Sequence, residues 1–107
     1  RGHYIHIQIG NKSSRYENVL LTTANTRIDT FKIRKKIGNT YRDYYSTSTN
    51  FRKGELKFSW NGRNTSGSKA SAGSYEIYYK ATVERPGRRP LNRTRTIPFS
   101  HNPQWLR

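Results

Sequence analysis

Basic side chains are the residues of this 107-residue chain best placed to do chemistry, because Lys and Arg number 21 against 6 Asp and Glu. They form three clusters, and the candidate polyanion-binding residues in them are Lys32, Arg34, Lys35, Lys36, Arg52, Lys53, Arg85, Arg88, Arg89, Arg93 and Arg95. The guanidinium fork of arginine matches the geometry of phosphate. A net charge of +15 also repels itself, which costs stability unless an anion offsets it. We therefore expect contact with an anionic polymer or an acidic protein. The alternative is a solvated face that only keeps the chain soluble.

Tyrosines are interleaved with these basic residues, and the candidate stacking residues are Tyr44, Tyr45 and Tyr78. An exposed tyrosine ring can stack on a nucleic-acid base or on a sugar. The alternative, which the pattern favours, is that these rings form cross-strand pairs on a half-exposed sheet. Tyr78 stands apart because it falls on the opposite face of its strand from Tyr75, Ile77 and Tyr79.

Residues for catalysis or for a metal site are few. The chain has no Cys, which excludes disulfides and thiol chemistry. The histidines are His3, His6 and His101, and a zinc site needs more convergent ligands than their spacing offers. The six carboxylates are scattered, and we expect each to neutralise a neighbouring Lys or Arg. No nucleophile elbow, zinc-protease, P-loop or dinucleotide motif occurs. We therefore expect no enzyme activity, no cofactor and no bound metal.

The sequence predicts that β-strands position these side chains, because apolar residues recur with a period of two. The alternation is clearest in Leu56, Phe58 and Trp60, and again in Tyr75 and Ile77. The predicted strands lie within residues 5–9, 19–21, 28–33, 41–45, 56–60, 75–84 and 94–99, with a polar Thr-rich stretch between the second and the third. About seven short strands in one domain, 1–107, are typical of an antiparallel β-sandwich. We expect Phe58, Trp60, Tyr75 and Ile77 in its core and residues 100–107 as a tail.

Turn residues separate the predicted strands. Gly38-Asn39 and Asn61-Gly62 suit tight turns, because glycine tolerates positive φ. Pro98 implies an edge strand or a strand end, since proline cannot donate to the ladder. No apolar run approaches the roughly 18 residues that a membrane-spanning helix needs. We therefore expect no membrane span.

The stretch from Phe58 to Ala81, FSWNGRNTSGSKASAGSYEIYYKA, resembles a bacterial Ig-like module with the pattern W-(D/N)-G-(R/K)-x-x-x-G-x-x-x-x-x-G-x-Y-x-x-x-x-x-A. Such modules occur in the flagellar hook-capping protein and in the fibronectin-III-like domains of Gram-positive cell-envelope subtilisin-like proteases. The matching positions are Trp60, Asn61, Gly62, Arg63, Gly67, Gly73, Tyr75 and Ala81. The resemblance covers about residues 27–84 and implies an Ig or fibronectin-III-like sandwich of the spacer, stalk or docking kind. The strong basicity departs from the pattern.

The resemblance and the charge together predict a non-catalytic, exported bacterial module, secreted or on the cell surface. Its basic surface would bind an anionic cell-envelope polymer, such as teichoic acid, or an acidic partner. Three alternatives stay open: a nucleic-acid-binding β-domain, an accessory or spacer domain of a larger secreted protease or assembly protein, and a small basic secreted toxin or inhibitor.

Overall fold

The computed structural model describes residues 5–12 and 14–106, and strands account for most of them. The elements are β1 (Ile5–Lys12), β2 (Arg15–Ile37), β3 (Thr40–Thr47), β4 (Arg52–Trp60), β5 (Gly73–Val83), β6 (Leu91–His101) and a short 3₁₀ helix (Pro103–Leu106). All neighbouring strands pair antiparallel. Within the described ranges, no helix has the length and apolar character required to span a membrane. The expectation of an all-β, antiparallel fold is confirmed.

Strand β2 organises the sheet, because it pairs with four other strands along its 23 residues. Its first half pairs with β1 and β4, and its second half pairs with β3 and β5. Between the two halves of β2, Thr26 pairs with Arg52 of β4 on one edge and with Val83 of β5 on the other. Strands β1 and β5 therefore share one edge of β2, while β4 and β3 share the opposite edge. The sheet curls so that Phe58 of β4, which pairs with the first half of β2, stacks on Phe31 in the second half of β2, with ring centroids 4.1 Å apart.

The described residues form six strands rather than about seven, because the segments 19–21 and 28–33 belong to one continuous strand. The Thr-rich stretch between them is extended, as its β-branched residues favour. Thr22 and Thr26 are buried with their hydroxyls bonded: Thr22 Oγ1 accepts from the Gly54 amide at 3.0 Å, and Thr26 Oγ1 donates to the Ala24 carbonyl at 2.8 Å. Register shifts near these residues take the place of a turn.

Aromatic rings fill the core around Trp60, which is 1% exposed. Ring centroids within 6.3 Å of its ring belong to Tyr16, Tyr44, Tyr75, Phe99 and His101. The indole N–H donates to the Arg63 carbonyl at 2.9 Å, so the polar atom of this large side chain is satisfied. Phe58, Tyr75 and Ile77 are also buried, as the strand alternation predicts.

The turn and edge expectations also match the structure. Gly38 has a φ of +63° between β2 and β3, where Ile37 pairs with Thr40. Gly62 follows β4 with a φ of +75°. Pro98 lies in β6, which among the described residues pairs with β5 alone and is therefore an edge strand.

Candidate functional site

The third basic cluster forms a feature that we name the arginine hairpin: Arg85, Arg88, Arg89, Arg93 and Arg95. It comprises the turn between β5 and β6 and the start of β6, closed by the pairing of Val83 with Leu91. The turn is held by its own hydrogen bonds, since the Arg88 amide donates to the Arg85 carbonyl at 3.0 Å and Arg85 Nε donates to the Arg89 carbonyl at 2.9 Å. Arg85 is half-buried and the other four arginines are exposed.

No ion pair within the described part of the chain neutralises the charge of the arginine hairpin. The ion pairs between described residues are Arg27–Asp29, Lys32–Asp43, Arg34–Glu76 and Lys57–Glu55, and none includes an arginine of the hairpin. Glu84, the acid nearest to the hairpin in sequence, instead accepts a hydrogen bond from Asn25 Nδ2 at 2.8 Å. The five guanidinium groups therefore have no carboxylate partner in the ranges 5–12 and 14–106, although Arg85 is bonded within the turn.

Arg93 and Arg95 lie opposite Ala81 and Tyr79 in the ladder. Burial raises the pKa of the Tyr79 hydroxyl, and the positive charges of Arg95 and Arg93 oppose that rise. Both arginines nevertheless stay exposed on β6, which pairs with β5 alone among the described strands. Their charges consequently reach solvent beside the turn that carries Arg88 and Arg89.

In the first basic cluster, by contrast, Lys32 and Arg34 are neutralised by ion pairs. Lys32 Nζ lies 2.9 Å from an Asp43 oxygen, and Arg34 Nε lies 2.6 Å from Glu76 Oε2. The Arg34 guanidinium carbon also lies 4.1 Å from the ring centroid of Tyr41. These contacts link β2 to β3 and β5 and leave little of the Arg34 charge for a ligand.

The remaining predicted basic residues lie in different places on the sheet. Lys35 Nζ donates to Ser71 Oγ at 2.8 Å and lies 5.2 Å from the Tyr75 ring centroid, on the opposite face of β2 from Arg34, whereas Lys36 is exposed. Arg52 and Lys53 are exposed at the start of β4. Because Thr26 lies between Arg52 and Val83, the Cα atoms of those two residues are about 10 Å apart, twice the strand spacing. The structure therefore brings Arg52 to the end of the sheet that carries the arginine hairpin, and it does not gather all eleven residues into one surface.

Tyr44 does not fit its candidate role as a stacking residue, and its burial agrees with the alternative that these rings pack on each other. Its ring is 8% exposed and packs edge-on against Trp60 and Tyr75, with centroid distances of 6.3 and 5.4 Å. A bulge causes this, because Ile33 pairs with Tyr45 and Arg34 pairs with Asp43, which leaves Tyr44 as an extra residue. Simple alternation along β3 does not anticipate it.

The other two candidate stacking residues are half-buried. Tyr45 packs edge-on against Phe31, with ring centroids 6.3 Å apart. Tyr78 carries the Arg34 guanidinium carbon over its ring at 4.3 Å. Part of each ring surface is thus already in contact with the protein, so neither tyrosine presents a fully open platform.

Two clefts that the sequence did not predict flank the loop after β4. The larger has a volume of about 350 Å³ and lies between β3 and the end of β4, with Tyr45, Trp60 and Arg63 among its lining residues. The smaller, about 270 Å³, is lined by Lys69, His101 and also Arg63. Their walls come from segments far apart in sequence, and only the Asn, Ser and Thr content of the loop hints at a polar lining.

Both ring nitrogens of His101 have hydrogen-bond partners within the protein. Its Nδ1 lies 2.6 Å from the Tyr16 hydroxyl and its Nε2 lies 3.3 Å from the Ala70 carbonyl. Burial lowers its pKa. His3 lies outside the described residues, and so does the side chain of His6. Within the ranges 5–12 and 14–106, no group of three or more metal-ligating side chains comes together.

Comparison with known proteins adds no relative: no protein-family model, no curated protein and no solved structure matches this chain.

Proposed function

We propose that this chain is a non-catalytic domain that binds a phosphate-bearing anionic polymer of the cell envelope through the arginine hairpin. The observation that carries the proposal is that, among the described residues, these five arginines have no carboxylate partner, whereas ion pairs neutralise Arg27, Lys32, Arg34 and Lys57. Unpaired guanidinium groups keep their full attraction for phosphate, and arginine binds phosphate with two parallel N–H donors.

The distribution of the arginines supports a polymer as the ligand. The four exposed arginines are spread over a turn and the first half of an edge strand, which suits an extended chain of repeated negative charges. The turn also contains a cavity of about 230 Å³, which Glu84, Arg85 and Arg88 line. The exposed Arg52 and Lys53 extend the positive charge at the same end of the sheet. An acidic protein partner would use the same charges, but it would present carboxylates rather than phosphates.

The module type is part of the proposal. We place the chain with the bacterial Ig-like or fibronectin-III-like modules of exported proteins. Three motif positions support this: Trp60 at the centre of the core, Gly62 in a left-handed turn and Tyr75 packed 5.7 Å from Trp60 between ring centroids. The curled antiparallel sheet is compatible with such a sandwich.

Nucleic acid is a less suitable ligand than a teichoic acid polymer. Base recognition by single-strand binders relies on exposed aromatic rings. Tyr44 is buried and the Arg34 guanidinium lies over Tyr78, so these two candidate rings offer little for bases to stack on. The positive charges alone would still attract a nucleic-acid backbone, which makes single-stranded DNA a useful competitor in the test.

The proposal is tested by neutralising three arginines of the hairpin, in the variant Arg88→Gln/Arg89→Gln/Arg93→Gln. A control variant, Arg42→Gln/Lys57→Gln/Lys80→Gln, loses the same charge outside the hairpin. Binding to purified polyglycerol-phosphate teichoic acid is measured over a salt titration. Each lost phosphate contact should reduce the slope of log K against log salt by roughly 0.7, so the hairpin variant should lose about 2.

The control variant should keep most of the slope. An equal loss in both variants would mean that only net charge matters and would overturn the proposal. Stronger binding to oligodeoxythymidylate than to teichoic acid at the same salt concentration would also overturn it, in favour of a nucleic-acid ligand.

A further inference from the structure

The larger of the two clefts, which we name the β3–β4 cleft, follows from the topology of the sheet. Strand β4 pairs with the first half of β2 and β3 pairs with its second half, along the same edge. The two strands therefore have no ladder between them. The opening lies where Tyr45 of β3 approaches Trp60 at the end of β4, and its volume is about 350 Å³.

The lining of the β3–β4 cleft combines ring surface with hydrogen-bonding groups. Tyr44, Tyr45 and Trp60 supply aromatic atoms, and the hydroxyls of Ser46, Ser59 and Thr65 surround them. Trp60 and Tyr44 are almost fully buried, so the half-buried Tyr45 offers the largest accessible aromatic surface. A sugar presents the matching pattern, since its C–H face packs on a ring while its hydroxyls form hydrogen bonds at the edge.

The charged residues known to line the β3–β4 cleft are positive. Arg15 and Arg63 line it, and no Asp or Glu is among its described lining residues. Both arginines are exposed and neither takes part in an ion pair between described residues. Arg63 is held in place because its Nη1 donates to the Gly67 carbonyl at 2.8 Å. A held guanidinium loses less conformational entropy when it binds an anion.

From this combination we propose that the β3–β4 cleft binds one anionic sugar unit, carrying a carboxylate or a phosphate. Its volume lies at the lower end of the range of about 300–1,000 Å³ for small-molecule sites, which limits the occupant to a ligand of that size. The anion pairs with Arg15 and Arg63, and the sugar ring packs on Tyr45. This proposal shares no residue with the arginine hairpin and does not rest on polymer binding.

The test is a titration of the ¹⁵N-labelled domain with four probes, followed through backbone amide chemical shifts. The probes are sodium glucuronate, glucose 1-phosphate, glucose and sodium acetate. We expect saturable shifts at Ser46, Arg63 and Thr65 with at least one of the two anionic sugars, and the comparison between them identifies carboxylate or phosphate as the preferred anion. Glucose lacks the anionic group and acetate lacks the sugar ring. Each should therefore bind at least about tenfold more weakly than the preferred anionic sugar.

Variants separate the site from general attraction. Arg15→Gln should weaken anionic sugar binding about tenfold, whereas Lys80→Gln removes the same charge away from the cleft and should leave the affinity unchanged. Ser46→Phe should block the cleft and abolish the shifts while the rest of the spectrum keeps its dispersion. The Arg88→Gln/Arg89→Gln/Arg93→Gln variant should bind the sugar normally, so failure of one proposal leaves the other standing.

Three outcomes would overturn the cleft proposal. Equal shifts with acetate would reduce the site to simple anion attraction. Equal affinity for glucose would remove any role for the arginines. Absence of saturable shifts at Ser46, Arg63 and Thr65 with either anionic sugar would mean that the cleft binds neither.

Discussion

The hydroxyl oxygen of Tyr16 lies 2.6 Å from Nδ1 of His101, which joins β2 to the end of β6 across 85 residues of sequence. The Ala70 carbonyl beside Nε2 can only accept a hydrogen bond, so the proton of the neutral ring lies on Nε2 and Nδ1 accepts from Tyr16. This contact closes the core at one end, because both rings also pack on Trp60.

Replacing Tyr16 by Phe should lower the free energy of unfolding by about 1–3 kcal/mol, because the buried Nδ1 atom of His101 loses its donor. The ring and its stacking on Trp60 are retained, so the change reports on the hydrogen bond. Tyr45→Phe is the control, because Tyr45 is half-buried and its hydroxyl makes no hydrogen bond to a described residue. Urea unfolding measures both, and equal effects would contradict the assignment.

Acid should destabilise the protein through His101. Burial, together with the positive charge of Lys35, holds the pKa of His101 below its ordinary value of 6.5, although the Ala70 hydrogen bond opposes the shift. The unfolded chain therefore takes up a proton at a pH where the folded chain does not, and stability falls as the pH drops below about 6.5. Urea unfolding between pH 8 and pH 5 is the measurement, with the pH range set about the pKa of histidine.

The comparison variants for this pH dependence are His101→Gln, and His3→Gln with His6→Gln. The His101→Gln variant should flatten the pH dependence of stability, and the variant that carries both His3→Gln and His6→Gln should preserve it. If the slope followed His3 and His6 instead, the assignment to His101 would fail.

Gly62 should be the least replaceable turn glycine. Its φ is +75°, and an added Cβ would come within 2.6 Å of Leu106 Cδ1 and 3.3 Å of His101 Cε1. Gly87 is a matched control, since its φ is +73° and a Cβ there would meet nothing within 4 Å. We expect Gly87→Ala to cost about 1 kcal/mol for backbone strain. Gly62→Ala should cost about 1–3 kcal/mol more because it overpacks the base of the core. Equal losses in thermal unfolding would show that Leu106 moves aside freely.

Alkaline conditions should destabilise the domain through its buried tyrosines. Burial is the main cause that raises the pKa of Tyr75 to about 12, while its hydrogen bond to Ser71 works in the opposite direction. The unfolded chain loses this proton near pH 10 and the folded chain keeps it, so stability falls as the pH rises above 10. Ultraviolet absorbance of tyrosinate should show a late-titrating group that Tyr75→Phe removes. A Tyr75→Phe titration identical to that of the parent would contradict this assignment.

The Arg34–Glu76 ion pair should stabilise the sheet more than an ordinary surface pair. Its side chains are 18% and 16% exposed and its atoms lie 2.6 Å apart, whereas the Lys57–Glu55 pair is 57% exposed on each side with a separation of 3.7 Å. Double-mutant cycles with Gln should give a coupling of about 1 kcal/mol for the first pair and close to zero for the second. Matching couplings would mean that burial and the tyrosine contacts add nothing to the pair.

The period-two pattern was sufficient to predict β4 and β5. It also predicted the burial of Phe58, Trp60, Tyr75 and Ile77, because alternate side chains of a strand point to the same face of the sheet. The sequence also predicted the turns at Gly38 and Gly62, because glycine is the residue that best tolerates a positive φ. Pro98 marked an edge strand for a similar local reason: proline lacks the N–H that an interior strand donates.

Other features depended on which distant residues meet. The continuity of β2 through its threonines relies on partners such as Gly54, and the burial of Tyr44 relies on a bulge in the ladder with β2. The same holds for charge, because Asp43 and Glu76 neutralise Lys32 and Arg34 only where three strands align. The arginine hairpin has no such acidic partner among the residues that the structure describes. The sequence alone therefore determined the strands, the turns and the total charge, because each depends on local residue type. Tertiary structure decided which charges remain free and where a cleft opens, because strand pairing sets the neighbours of each side chain.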